Sequence, residues 1–208
     1  MAPLFTRRAT TRFRVSLALL VMGAAAVAAL VFVWSRSDAA WRVGAPAPQP
    51  IPFQHSLHAG ALGVECRFCH ATVERAADAG MPSTGTCLTC HSQIWTGASV
   101  LEPLRTAAAL GLPVVWSSTH RLPSHVYFHH GAHVAKGIGC ATCHGPVETM
   151  AETAKAETLS MGWCLGCHRD AHPAGMARAD TASAAVPGRL PAPTQPLSPL
   201  ADCNTCHR

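Results

Sequence analysis

Five short runs dominate the chain: Cys66-Arg67-Phe68-Cys69-His70, Cys87-Leu88-Thr89-Cys90-His91, Cys140-Ala141-Thr142-Cys143-His144, Cys164-Leu165-Gly166-Cys167-His168 and Cys203-Asn204-Thr205-Cys206-His207. They use all 10 cysteines of the chain. Two cysteines separated by two residues and followed at once by His suit one chemistry: the thiols add to the two vinyl groups of a c-type haem, and the His reaches the iron from the same face. A disulfide framework would not require a His after every pair. Zinc would need thiolates and imidazoles converging four at a time, and the spacing offers no such set. The motifs therefore predict five c-type haems, each on a Cys pair, with His70, His91, His144, His168 and His207 as proximal ligands.

Composition agrees that something other than a large apolar core organises the chain. Only 13% of its 208 residues are charged. Beyond Trp41 the aromatic residues are Phe53, Phe68, Phe128, Tyr127, Trp95, Trp116 and Trp163, a thin core for a segment of this length. The expected fold is a multihaem one, with few short helices and extended loops wrapped around five haems, plus one transmembrane helix. Helices are expected around several motifs and over Val100 to Leu110 and Val147 to Leu159, and no conventional sheet is indicated. The formal net charge of +5 is offset by haem propionates, and no Lys/Arg stripe supports binding of nucleic acid.

Arg7, Arg8, Arg12 and Arg14 precede any acidic residue, and Val15 to Trp34 is then uncharged and mostly apolar. A helix of about 20 residues spans ~30 Å, enough to cross bilayer hydrocarbon. Arginines stay cytoplasmic, which places the rest of the chain on the periplasmic side of the inner membrane. A cleavable export signal is the alternative, although its apolar run is usually shorter. The expected division is 1–14 cytoplasmic tail, 15–34 anchor and 35–52 spacer. Pro46, Pro48, Pro50 and Pro52 make the spacer stiff and extended.

The remainder contains a duplication. Phe53-Gln54-His55-Ser56-Leu57-His58 and Phe128-His129-His130-Gly131-Ala132-His133 share the pattern Phe-x-His-x-x-His. The copies lie about 75 residues apart, and two haem motifs follow each. This gives a first module at 53–127, a second at 128–176 and a C-terminal segment at 177–208, whose prolines favour an extended path to the fifth motif. Histidines three apart on a helical turn project from one face, so each pair suits the sixth positions of two neighbouring haems. His55, His58, His130 and His133 are therefore expected distal ligands. For the fifth, the residues alone leave His120, His172, His125, His129 and Met161 open.

Longer phrases carry a family resemblance over Ile51 to Arg208. Phe-x-His-x-x-His ahead of haem motifs resembles the class III multihaem cytochromes c. Thr86 to Trp95, Leu122 to Phe128, His133 to Gly137 and Met161 to Cys164 are similar to the pentahaem cytochrome subunit of alternative complex III, a quinol-oxidising respiratory assembly. The resemblance places His120, just before the Leu122-Pro123 phrase, at the family's His position and so favours it as the fifth distal ligand. It implies electron transfer from an iron-sulfur subunit or polytopic quinol-binding membrane subunits to a monohaem cytochrome c or terminal oxidase.

With a His for every sixth position, no open iron is expected, so the chain reads as an electron carrier rather than an enzyme. Two alternatives remain: a small membrane-anchored multihaem quinol dehydrogenase feeding periplasmic reductases, and a stand-alone multihaem carrier. The proline spacer argues against direct quinol contact in the first of these.

Overall fold

The computed structural model describes residues 6–169 and 202–207. The chain divides into two compact units between Val43 and Gly44. The first is built on α1 (Arg7–Ser35) and α2 (Asp38–Trp41). Thr6 caps α1 by accepting a hydrogen bond from the Ala9 amide, and the Leu, Ala and Val that follow are compatible with an uninterrupted helix. Its most apolar window has a mean hydropathy of 2.6 and no buried residue. Such a helix is stable where lipid covers it, and α1 is a single-pass membrane anchor. Arg42, in the left-handed region at φ 56°, closes α2.

The second unit carries the motifs on short helices joined by loops. These are α3 (Cys66–Cys69), α4 (Thr84–His91), α5 (Glu102–Ala109), α6 (His130–Ala135), α7 (Ala141–His144), α8 (Met161–Arg169) and α9 (Cys203–Cys206), with a π-helical turn at Ser56–Ala61. Polar side chains start several of them. Ser83 accepts from the Thr86 amide, His129 Nδ1 from Ala132, and Asp202 from Asn204. An antiparallel bridge joins Val126 to His207.

The expected helix over Val100 to Leu110 is present as a 3-10 turn, Ser99–Leu101, running into α5. Leu101 and Leu104 from this stretch join Ile51 in a small buried apolar cluster, with Leu88, Val114 and Trp116 packed against it. The expected helix over Val147 to Leu159 does not form beyond a 3-10 turn at Val147–Thr149. Its backbone is committed elsewhere: Met150 O accepts from Ser56 N, and Lys155 O accepts from Gly44 N. A carbonyl bonded to a distant amide is not available to a helix.

The latter half of the proline segment, read as a spacer, belongs to the second unit. Gln49 Nε2 donates to Ser117 O at 2.8 Å, and Ser117 N donates to Gln49 Oε1 at 2.9 Å. Ile51, 6% exposed, anchors the same segment in the core. His172 and the expected extended path over Ala177 to Ala201 lie outside the described residues.

Candidate functional site

The two Phe-x-His-x-x-His copies adopt one geometry. Phe53 stacks on His58 at 4.3 Å and meets His55 edge-on at 4.9 Å. Phe128 lies over His133 at 4.4 Å and meets His130 edge-on at 4.8 Å. The second His of each pair is oriented by its own turn: His58 Nδ1 lies 2.9 Å from Gln54 O, and His133 Nδ1 lies 2.9 Å from His129 O. An Nδ1–H donated to a carbonyl fixes the tautomer that leaves Nε2 free to bind a metal. The phenylalanine is thus the common wall that sets both rings, a role the sequence pattern implied only through its repetition.

Each module then brings motif histidines opposite these rings. His58 faces His91 with centroids 6.2 Å apart, and His133 faces His168 at 6.0 Å. His130 faces His144 at 6.2 Å. Metal–imidazole bonds of about 2 Å place the centroids of two axial rings about 6 Å apart. The donors therefore fit a haem iron. In the first module, His70 is near enough to His55 to disfavour its protonation, after burial as the larger cause.

The fifth motif meets a residue outside the expected ligand set. The His125 and His207 rings stack at 5.6 Å, Tyr127 N donates to Cys206 O at 2.8 Å, and His207 Nδ1 lies 3.2 Å from His125 O. His120 is elsewhere. Its ring lies 4.4 Å from that of His144, too close for an iron between them, and its Nδ1 is 2.9 Å from Thr119 Oγ1. His120 Nε2 and Trp116 Nε1 are buried without a protein hydrogen-bond partner. Buried orphans of this kind call for a polar partner beyond the chain.

The cysteine pairs show which motifs are neighbours. Cys69 interacts electrostatically with Cys90 and Cys87, joining the first and second motifs. Cys66 and Cys140 share a thiol hydrogen bond, joining the first and third. Cys143 interacts with Cys164 and Cys167, and Cys164 with Cys206. The first motif thus lies beside the second and the third, and the fourth beside the third and the fifth. In the free thiol form, the hydrogen bond from Cys66 brings Cys140 down to about 6, with help from Arg67, and raises Cys66.

Burial disfavours the charged form of four imidazoles. His144 is lowered to about 4, first by desolvation and then by His120, His130, His70 and His55 around it. Desolvation is also the first cause of the lowered values of His55, His120 and His133. Neutral imidazole is the form that ligates a metal, so the cluster keeps its donors competent.

Residues 132–208 match the family described as cytochrome c3. The chain is also 30% identical over 161 residues to the menaquinone reductase multiheme cytochrome c subunit of Nitratidesulfovibrio vulgaris, an alignment covering 76% of this chain and 67% of that protein. The chain is a multihaem cytochrome c. The c3 match spans the third, fourth and fifth motifs, in keeping with the class III resemblance of the sequence. As a multihaem cytochrome c, the protein is an electron-transfer protein bound to the membrane by α1.

Proposed function

We propose that this cytochrome carries electrons between the quinone pool and periplasmic redox partners through five covalently attached haems. The observation that carries the reading is the repeated placing of a second imidazole about 6 Å from a motif histidine, the spacing that two axial metal bonds require. Each haem, when attached, supplies an iron that cycles between ferric and ferrous states. The ten cysteines hold the macrocycles, and His70, His91, His144, His168 and His207 are the proximal ligands. His55, His58, His130 and His133 stand opposite the first four of these. His125 takes the place opposite His207, with His120 as its rival.

Histidines filling both open positions of a haem iron would exclude water and substrate from it, which suits electron transfer rather than bond-making. His120 Nε2 and Trp116 Nε1 are suited to donate to a propionate. Phe68 and Met161, 52% and 66% exposed, offer apolar surface next to their motifs for a macrocycle to cover.

Quinone linkage is supported by the menaquinone reductase relative. The finer reading, a pentahaem subunit of alternative complex III, is favoured by the phrases at Thr86 to Trp95 and Leu122 to Phe128.

Purification from native membranes in mild detergent, with mass spectrometry of what stays bound, tests the proposal. Co-purifying quinone-binding subunits support the quinone-linked reading, and an iron-sulfur subunit together with polytopic partners would support the alternative complex III form. Recovery of the chain alone, with no electron exchange with added quinol or quinone, would leave a stand-alone carrier.

A further inference from the structure

The first histidine of each pair is oriented by the other module. His55 Nδ1 lies 2.7 Å from Thr153 Oγ1, and His130 Nδ1 lies 2.7 Å from Ala77 O. The backbone follows the same exchange. Ser56 N donates to Met150 O in the second module, whereas His130 N and Gly131 N donate to Ala77 O and Ala76 O in the first. The helix that fails to form over Val147 to Leu159 thus leaves Thr153 free to meet an imidazole 98 residues away.

We propose that Thr153 is a positioning residue for His55, setting from the second module the orientation and basicity of an imidazole that serves the first. This rests on the haem reading above. With Nε2 committed to iron, Nδ1 carries the proton and Thr153 Oγ1 accepts it. The acceptor on Nδ1–H tunes the donor strength of a metal-bound imidazole: a stronger acceptor makes the ring more basic, favours ferric iron and lowers the potential. The two modules differ here, because a main-chain carbonyl is a stronger acceptor than a hydroxyl. The duplicated pattern therefore gives the first and third sites different settings from one geometry.

The test uses the full chain, with its haems attached, in detergent. Mass spectrometry first counts the haems, so failure of the haem reading is seen separately as their absence. Redox titration and low-spin electron paramagnetic resonance are then compared for Thr153→Val, Thr153→Ser and Thr153→Asn. Thr153→Val is expected to move one of the five midpoints upward and to shift one low-spin signal, with Thr153→Ser close to the parent. Thr153→Asn, which offers a side-chain carbonyl, is expected to move the same midpoint downward. If Thr153→Val does not assemble, the Asn variant decides. Five haems with no midpoint or signal moved, or with several moved together in Val and Ser alike, would overturn the proposal.

Discussion

At the scale of single residues, the proposed distal ligands His55, His58, His130 and His133 are imidazoles whose Nδ1 atoms already meet an oxygen of the chain. His58 and His133 are fixed by carbonyls four residues earlier. Their replacement by alanine is expected to convert one haem from low to high spin, each variant a different one, while the intact cysteines keep all five attached. Electron paramagnetic resonance with a haem count by mass spectrometry checks this. The fifth site gives a sharper contrast. Because His125 lies 5.6 Å from His207 and His120 lies 4.4 Å from His144, His125→Ala is expected to remove a low-spin signal that His120→Ala keeps. The opposite result would return His120 to the fifth iron.

At the scale of elements, the His-bearing turns dock through glycines. A Cβ on Gly60 would run into the Glu148 carbonyl, and one on Gly131 would come within 2.8 Å of Glu74 O. Glu74 and Glu148 follow the first and third motifs at the same distance, so each module is met by the other at the same carbonyl, although Gly131 corresponds in the repeat to Ser56 rather than to Gly60. Gly60→Ala and Gly131→Ala are each expected to cost about 1–3 kcal/mol, the range for overpacking a close contact. Gly97, with open space around its missing Cβ, serves as the control and should change stability little. Thermal unfolding of the three variants, followed at a haem absorption band, measures the difference. Thr153 shows why helix propensity failed between Val147 and Leu159: the segment's bonding groups serve the neighbouring module, a demand invisible to a local window.

At the scale of the whole molecule, the division between Val43 and Gly44 separates the anchor from the haem-binding unit. A chain beginning at Gly44 behind a cleavable export signal is expected to appear in the soluble fraction with the same haem count and spectrum. Retention in the membrane would instead mean that the haem unit binds lipid or membrane subunits by its own surface. The core of that unit is small, with Ile51, Leu101 and Leu104 as its buried apolar residues among those described. Covalent attachment and axial ligation are expected to supply much of what a larger apolar core provides elsewhere.

The sequence by itself determined the haem motifs, the anchor, the duplication and the class III character, because each rests on residues close together along the chain. Cys-x-x-Cys-His is a five-residue chemistry, a membrane helix needs one apolar run, and Phe53 with His58 or Phe128 with His133 needs one turn. Other features depend on segments far apart in sequence. Gln49 meets Ser117, Thr153 meets His55, and His125 rather than His120 meets His207 only after the path of the chain is set. The same holds for the approach of the first motif to the third, since Cys66 beside Cys140 is a contact between modules. Tertiary structure decided these because a hydrogen bond or a ring contact depends on distance in space, and no local pattern fixes which distant partner will be there.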